Sequence, residues 1–104
     1  MSDRELLELA AKAAGYSVRW YEDSLAYGPT FGIEVEPGNP CGFEVWNPLT
    51  DDGDALRLAV AIAGTDLRWI IMAAWQRHEI QSEREAATRL AIVRAAAELG
   101  RAMP

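Results

Sequence analysis

The chain has 104 residues and a mass of 11.5 kDa, which predicts one domain over residues 1–104 with no room for a second core. Half of the residues are apolar and a quarter are charged, a globular composition that excludes a disordered tail or a collagen-like fibre. The net charge of −6 and the pI near 4.7 argue against a general nucleic-acid binder, which neutralises phosphates with basic side chains.

Targeting and metal-binding signals are missing from the sequence. No apolar run reaches the ~18 residues of a membrane span, and the first residues, MSDRELLELAAK, do not follow the basic-then-apolar pattern of a secretion signal. We therefore expect a cytoplasmic protein. Cys41 is the single cysteine and His78 the single histidine, so neither an internal disulfide nor a zinc site of soft ligands is expected.

The first predicted element is a helix over residues 3–14. Ser2 and Glu5 have the spacing of a capping box, in which each side chain accepts a hydrogen bond from the other's backbone N–H. Gly15 follows the helix and can adopt the left-handed conformation that commonly ends a helix. The apolar residues between these signals recur at helical spacing: Leu6, Leu9, Ala10 and Ala13.

Three strands follow, because the apolar period changes from 3.6 residues to 2. The alternating runs are 16–21, 31–36 and 41–46, separated by breaks at 27–29 and 37–40. The residues expected to face the core are Tyr16, Val18, Trp20, Phe31, Ile33, Val35, Cys41, Phe43 and Val45.

A second helix is predicted after residues 46–50. Thr50 or Asp51 can cap it, and negative charge at Asp51, Asp52 and Asp54 suits the positive end of the helix dipole. Gly64 is its expected end. Because apolar side chains cover most of its circumference, we expect it to be the most buried helix.

The last helix is predicted from a second capping box, Ser82 with Glu85, to about Ala102. Before it, residues 67–75 are apolar almost throughout, which suits a strand buried on both faces or a piece of buried helix. Their length and the residues Trp69, Ile70, Ile71 and Trp75 favour the strand. Residues 77–81 would extend that strand, return as an edge strand or remain a loop.

The order helix, three strands, helix, strand, helix predicts an α+β fold. Its mostly antiparallel sheet has four or five strands, packed with three helices. If the fourth strand is buried on both faces, helices must cover both, and the fold is an α-β-α sandwich.

Three segments resemble phrases found in small proteins of tailed bacteriophages and prophages. They are DRELLELAAKAAGY (residues 3–16), WNPLTDDGDALRLAVAIAG (46–64) and EAATRLAIVRAAAELGRAM (85–103). Such proteins are grouped as a phage alpha-beta-alpha sandwich domain family of unassigned function. The resemblance covers about half of the chain, mainly its helices, and implies a phage origin, a bacterial host cell and a three-layer fold. It implies no catalytic residues.

Acidic residues of the predicted sheet are the first candidate for a functional surface. If strands 31–36 and 41–46 pair with aligned apolar faces, Glu34, Glu36 and Glu44 share the other face, and one allowed register sets Glu34 opposite Glu44. Like charges so placed cost up to ~1 kcal/mol. The patch is then either a solvated face or a surface for a basic partner. Residues 20–66 hold nine acids against Arg57 alone, a net charge of −8, whereas residues 67–104 have six Arg against four Glu.

The other candidates are aspartates and aromatic residues. The D-D-G-D sequence does not complete a calcium loop, because the twelfth position is Ile62 rather than Glu, and helix capping explains the aspartates without a ligand. Tyrosines off the core face can serve as interface hot spots. The full set of candidate partner-binding residues is Glu34, Glu36, Glu44, Asp51, Asp52, Tyr21 and Tyr27.

Catalytic motifs are absent from the sequence: there is no serine-nucleophile elbow, phosphate loop or dinucleotide glycine pattern. We expect a non-enzymatic accessory protein, without cofactor or metal, that inhibits a host defence system in the manner of an anti-CRISPR protein. Its partner would be a host protein or nucleoprotein complex with a basic surface, and it would contact neither nucleic acid nor membrane directly. The alternatives are a homo-oligomeric structural domain, in the simplest case a homodimer, and a small-ligand-binding or enzymatic domain.

Overall fold

The computed structural model describes residues 2–22, 28–34, 43–62, 67–77 and 79–104. These residues form a three-stranded antiparallel sheet of order β1-β2-β3 and four helices. The elements are α1 Asp3–Ala14, β1 Val18–Tyr21, β2 Thr30–Glu34, β3 Phe43–Val45, α2 Asp52–Ala61, α3 Leu67–Gln76 and α4 Gln81–Ala102. The α+β class is confirmed, although the described part of the sheet has fewer strands than predicted and the described residues form one more helix than predicted.

Helix α1 has the predicted bounds and the predicted ends. The Ser2 hydroxyl accepts the N–H of Glu5 at 3.2 Å. Gly15 closes the helix with φ 75°, in the left-handed region that glycine adopts without strain, and its N–H returns to the Lys12 carbonyl at 3.2 Å.

Helix α3 replaces the strand predicted over residues 67–75, so that prediction is wrong. An apolar run without interruption has no period of its own, and intrinsic propensity then decides between helix and strand. Six of the ten residues of LRWIIMAAWQ are Leu, Arg, Met, Ala or Gln, which are strong helix formers. The helix packs on α4, where the Trp75 indole N–H donates to Thr88 Oγ1 at 3.0 Å. Arg77 is a turn residue and Gln81 already belongs to α4, so no strand forms in the described part of 77–81.

The starts of the two later helices differ in how well they were predicted. Asp51 is the N-cap of α2, and its Oδ2 accepts the N–H of Asp54 at 2.8 Å. Helix α4 instead begins at Gln81, with Ile80 as an N-cap that supplies no side-chain hydrogen bond. The predicted capping box at Ser82 is therefore wrong, because the helix starts before that serine can cap it. Helix α2 ends at Ala61 rather than at Gly64.

The pairing of β2 with β3 is shifted by one residue from the predicted register. Ile33 pairs with Glu44, and Glu34 pairs with Phe43. Cross-strand partners point to the same face of a sheet. Phe43 therefore shares a face with Glu34, and Ile33 points to the other face. The expected alignment of the two apolar faces is wrong. Gly32 explains the shift: it leaves room for the ring of Phe43, which a Cβ at this position would strike.

The core lies between the helices and one face of the sheet. Trp20 of β1 pairs with the buried Phe31 of β2, and their rings meet edge to face at 4.9 Å. Helices α1 and α4 approach closely because small residues face each other at their crossing. A Cβ on Gly100 of α4 would collide with the backbone of Leu9 in α1. The buried small residues of this contact are Ala10, Ala11, Ala96 and Ala97.

Candidate functional site: a groove between α2 and α3

The predicted acidic sheet face is not assembled as expected in the described residues. Glu44 is exposed, but its cross-strand partner is Ile33 and not Glu34, so the two glutamates do not stand opposite each other. Glu36 lies outside the described residues, as does Tyr27, and for Glu34 only the backbone is described.

Tyr21 takes part in an aromatic pair on the outer face of the sheet. Its ring stacks on Phe43 with the centroids 3.9 Å apart and the planes 10° from parallel. The Arg19 guanidinium lies 5.8 Å from the centroid of the Tyr21 ring, close enough for a cation–π contact. The half-buried tyrosine therefore packs within its own sheet, above Gly32.

The aspartates at the start of α2 are engaged with groups of the same chain. Asp54 is buried, accepts the N–H of Asn47 at 2.9 Å and forms an ion pair with Arg57 at 2.7 Å. Asp51 caps the helix. The cap formed by Asp51 is the predicted one. The contacts of Asp54 connect the segment after β3 to α2.

The pKa of Arg57 is raised, first by its side-chain hydrogen bond with Asp54 and then by the negative charges of Asp54 and Asp51. The shift is in the direction expected for a guanidinium that gains carboxylate partners in the folded chain.

Asp52 connects α2 to α4. Its carboxylate meets Arg89 at 2.6 Å, and the same guanidinium donates to the Leu49 carbonyl at 2.9 Å. The Arg89 side chain is largely buried, whereas that of Asp52 is mostly exposed. This clamp fixes α2 along α4 and forms one end of the groove described next.

A groove of about 360 Å³ lies where α2 and α3 flank α4. Its walls and floor are mainly apolar, and include Leu56, Ala59, Ile71, Trp75, Thr88 and Ile92.

Both helices that flank this groove carry exposed apolar side chains, of which Leu56 and Trp75 line the groove while Val60 and Met72 lie outside its lining. Leu56 and Val60, one turn apart on α2, are 66% and 68% exposed. Met72 and Trp75 on α3 are 45% and 46% exposed. Among the three helices that were predicted, α2 has the largest share of buried residues, four of its ten, as expected. Its outer side is nevertheless exposed, because apolar residues cover its circumference while α4 covers one face.

The polar groups at the rim are already paired with each other. The Arg84 guanidinium lies 5.5 Å from the Trp75 ring centroid, and the Gln81 amide donates to the Glu85 carboxylate at 3.3 Å. The charged residues of the lining are two carboxylates, Asp52 and Glu85, and two guanidinium groups, Arg84 and Arg89, so the lining carries no net charge. The groove thus presents a neutral, apolar surface with a fixed tryptophan at its edge.

A smaller cleft of about 150 Å³ lies near the start of α1. Trp20 and Trp46 both line it, and both indole N–H groups are buried without an acceptor among the described residues. Buried N–H groups normally have a protein or water partner.

Sequence reasoning missed the groove because it rests on α3 being a helix. The available signal was the excess of apolar residues on α2, where Leu56 and Val60 lie off the stripe formed by Ala55, Leu58, Ala59 and Ile62.

Three further results bear on the kind of site. Among the described residues, no group of three His, Cys, Asp or Glu side chains could hold a metal ion. The described helices include none that is long and apolar enough to cross a membrane. Comparison with protein-family models, with curated proteins and with solved structures gave no match.

Proposed function

We propose that this chain is a non-enzymatic accessory protein that works by binding another polypeptide in the groove between α2 and α3. The observation that supports the proposal is the exposure of four large apolar side chains on the two helices that flank an apolar groove, two of which, Leu56 and Trp75, line the groove itself. Contiguous apolar surface rimmed by polar residues is typical of protein-binding sites.

Trp75 is the expected anchor of the interaction. Tryptophan is enriched among residues that dominate binding energy. Here the hydrogen bond to Thr88 and the contact with Arg84 hold the indole before a partner arrives. A side chain that is ordered beforehand loses less conformational entropy on binding.

The available apolar area sets the scale of the affinity. The exposed parts of Leu56, Val60, Met72 and Trp75 amount to roughly 250 Å², which corresponds to a gross gain of about 6 kcal/mol on burial. Association itself costs about 4–15 kcal/mol. Contacts beyond these four side chains are therefore needed for a stable complex.

The acidic charge suggests a role in approach. The net charge of −6 would steer a partner with a basic surface, such as a host protein or nucleoprotein complex. Within this proposal, inhibition of a host defence system by a phage protein is the biological setting. It is supported by the sequence resemblance and by the charge.

Affinity capture from a bacterial lysate tests the proposal. The control variant is Leu99→Glu, because Leu99 is 41% exposed and does not line the groove. The wild type and this control should retain the same partner. Leu56→Glu should lose it, because a carboxylate would be buried against apolar surface. Equal capture by all three proteins would contradict the proposal.

The acidic residues of the predicted sheet need a separate arm of that experiment. A triple charge reversal, Glu34→Lys with Glu36→Lys and Glu44→Lys, should slow association while leaving the groove contact in place. Loss of capture in this variant together with retention in Leu56→Glu would move the binding surface to the sheet and overturn the role of the groove.

A further inference from the structure

We infer that the edge of β1 that faces away from β2 binds an extended acidic segment of another polypeptide, which adds to the sheet as a further strand. This inference goes beyond the proposed function, because no residue of β1 lines the groove between α2 and α3. Three features of the described residues support it: the direction of the backbone groups of β1, the surface between β1 and α1, and the charges on that surface.

The backbone of β1 has hydrogen-bonding groups that point away from the sheet. Among the described residues β1 is an edge strand, because the sheet has the order β1-β2-β3. The Phe31 carbonyl of β2 accepts the N–H of Trp46, the residue after β3, at 3.0 Å, so the backbone groups of Phe31 face β3. Phe31 is paired with Trp20, and the groups of such a pair point away from each other in an antiparallel ladder. The N–H and C=O of Trp20, and of Val18 two residues earlier, therefore point to the open edge.

A groove of about 530 Å³ borders this edge. It lies between β1 and α1, and its lining includes Val18, Arg19 and Trp20 of the strand together with the buried Ala11 of the helix. Peptides that add to a sheet edge take affinity from main-chain hydrogen bonds and specificity from the side chains beside the edge. The edge of β1 offers both kinds of contact to an extended chain.

The charged side chains that line this groove are mainly basic, in contrast to the chain as a whole. Three cations face one carboxylate, an excess of two positive charges: Arg4, Lys12 and Arg19 against Glu8. The Arg4 guanidinium lies 4.6 Å from the centroid of the Trp20 ring, and its contact with Glu8 at 3.6 Å joins two side chains that are each about half exposed. Lys12 donates to the Met103 carbonyl at 3.1 Å, a neutral group that leaves the ammonium charge in place.

These charges select an acidic occupant. Arg19 belongs to the outer face of the sheet with Tyr21, whereas Arg4 and Lys12 approach the edge from α1, so cations flank an added strand on both of its faces. A basic segment is repelled there, and a second copy that paired through the same edge would bring like charges together. At physiological ionic strength the Debye length of about 8 Å weakens the influence of acidic residues farther from the groove.

Titration of ¹⁵N-labelled protein with synthetic peptides of about eight residues, long enough to cover β1, tests the inference by NMR. A peptide of alternating Glu and Val should bind and should slow hydrogen exchange at the amides of Val18 and Trp20, since their N–H groups gain acceptors. The amide of Arg19 faces β2 and should exchange slowly with or without the peptide. The same peptide with Lys in place of Glu should not bind. A version N-methylated at every amide keeps the charges but donates no hydrogen bond, and should bind at least about tenfold more weakly.

Variants of the protein test the charges. Arg19→Glu should weaken binding of the Glu peptide at least about tenfold, because it places a like charge beside the peptide carboxylates. Lys12→Gln removes one exposed cation and should weaken binding about threefold. Arg94→Glu is the matched control: Arg94 is exposed on α4, does not line this groove, and undergoes the same change of charge. This control should bind as the wild type does, and circular dichroism establishes that each variant keeps its helical content.

Three results would overturn the inference. One is a spectrum that does not change with the Glu peptide at about 1 mM. Another is equal binding of the Glu and Lys peptides, or equal binding by the wild type and Arg19→Glu. The third is binding that leaves hydrogen exchange at Val18 and Trp20 unchanged, which would make the contact a charge attraction without an added strand. Capture through Leu56 is measured separately, so each of these results leaves the proposed function standing.

Discussion

The two ends of α4 are covered in opposite ways. Its C-terminal half meets α1 through small residues, and Gly100 lies against the Leu9 backbone with no room for another carbon atom. Its N-terminal half meets α3 at the edge of Trp75, where Thr88 and Arg84 supply polar contacts and large apolar side chains remain exposed. The contact between α4 and α1 is closed by the packing of small residues. The contact between α4 and α3 leaves apolar side chains exposed, where a second molecule can bind.

Substitution of Gly100 by alanine should produce the largest loss of stability. The new Cβ would strike the Leu9 carbonyl, and backbone cannot move aside as a flexible side chain can. We expect the free energy of unfolding to fall by about 2–3 kcal/mol, after allowing for the better helix propensity of alanine. Urea denaturation followed by circular dichroism measures the change.

Gly53→Ala is the matched control for this prediction. Its Cβ would lie 3.2 Å from Asp51 Oδ2 and 3.3 Å from an Arg57 guanidinium nitrogen, which are ends of side chains and not backbone. Asp51 Oδ2 also caps α2, so the better helix propensity of alanine is set against a strained cap, and stability should change by less than about 1 kcal/mol in either direction. If the two variants were equally stable, the close crossing of α1 and α4 would be wrong.

Asp54→Ala should be the next most damaging change. It removes the acceptor for the Asn47 N–H and the partner of Arg57, at a site where the carboxylate is buried. The expected loss is about 2 kcal/mol, because the Asn47 N–H is left without its hydrogen bond. Asp52→Ala removes an exposed carboxylate from an ion pair with Arg89 and should cost under about 1 kcal/mol in the same denaturation experiment. The reverse order would refute the assignment of Asp54 as the junction residue.

Gly32→Ala tests the outer face of the sheet and should have a smaller effect. The added methyl group would strike Phe43 and lie 3.0 Å from Tyr21 Cε2, but these rings can separate at the cost of their stacking. We expect a loss of about 1 kcal/mol. A change in the near-ultraviolet circular dichroism of the aromatic pair should accompany it. An unchanged spectrum and unchanged stability would argue that the rings do not stack over Gly32.

Leu56→Glu should have the smallest effect on folding. The side chain is two-thirds exposed, so the free energy of unfolding of the monomer should change by less than about 0.5 kcal/mol. The free energy of unfolding should be measured at low protein concentration. If it fell by more than about 2 kcal/mol, the residue would belong to the core of the chain and not to a binding surface.

The parts of the fold that were predicted correctly have local causes. The ends of α1 follow from Ser2 and Gly15, and the start of α2 follows from Asp51, because capping involves only neighbouring residues. The parts that were not predicted depend on distant contacts. The register of β3 follows from the space that Gly32 leaves for Phe43, which is visible only once the strands are paired.

The candidate site was hidden for the same reason. Residues 67–75 carry no apolar period, so sequence alone left a strand and a helix open, and the groove exists only if α3 is a helix. The predicted acidic patch depended on a register in which Glu34 and Glu44 are partners, and the observed register pairs them with other residues. Whether the acidic residues contribute to binding remains a prediction.

NMR spectra of uniformly ¹⁵N-labelled protein, free and saturated with the captured partner, test the role of the groove most directly. On addition of the partner, the resonances that move most should be the amides of Leu56, Val60 and Met72 and the indole N–H of Trp75, while the amide of Leu99 stays in place. Helical secondary shifts over Leu67–Gln76 should be present in the free protein. Shifts confined to the sheet, or a spectrum that does not change when the partner is added, would contradict binding in the groove.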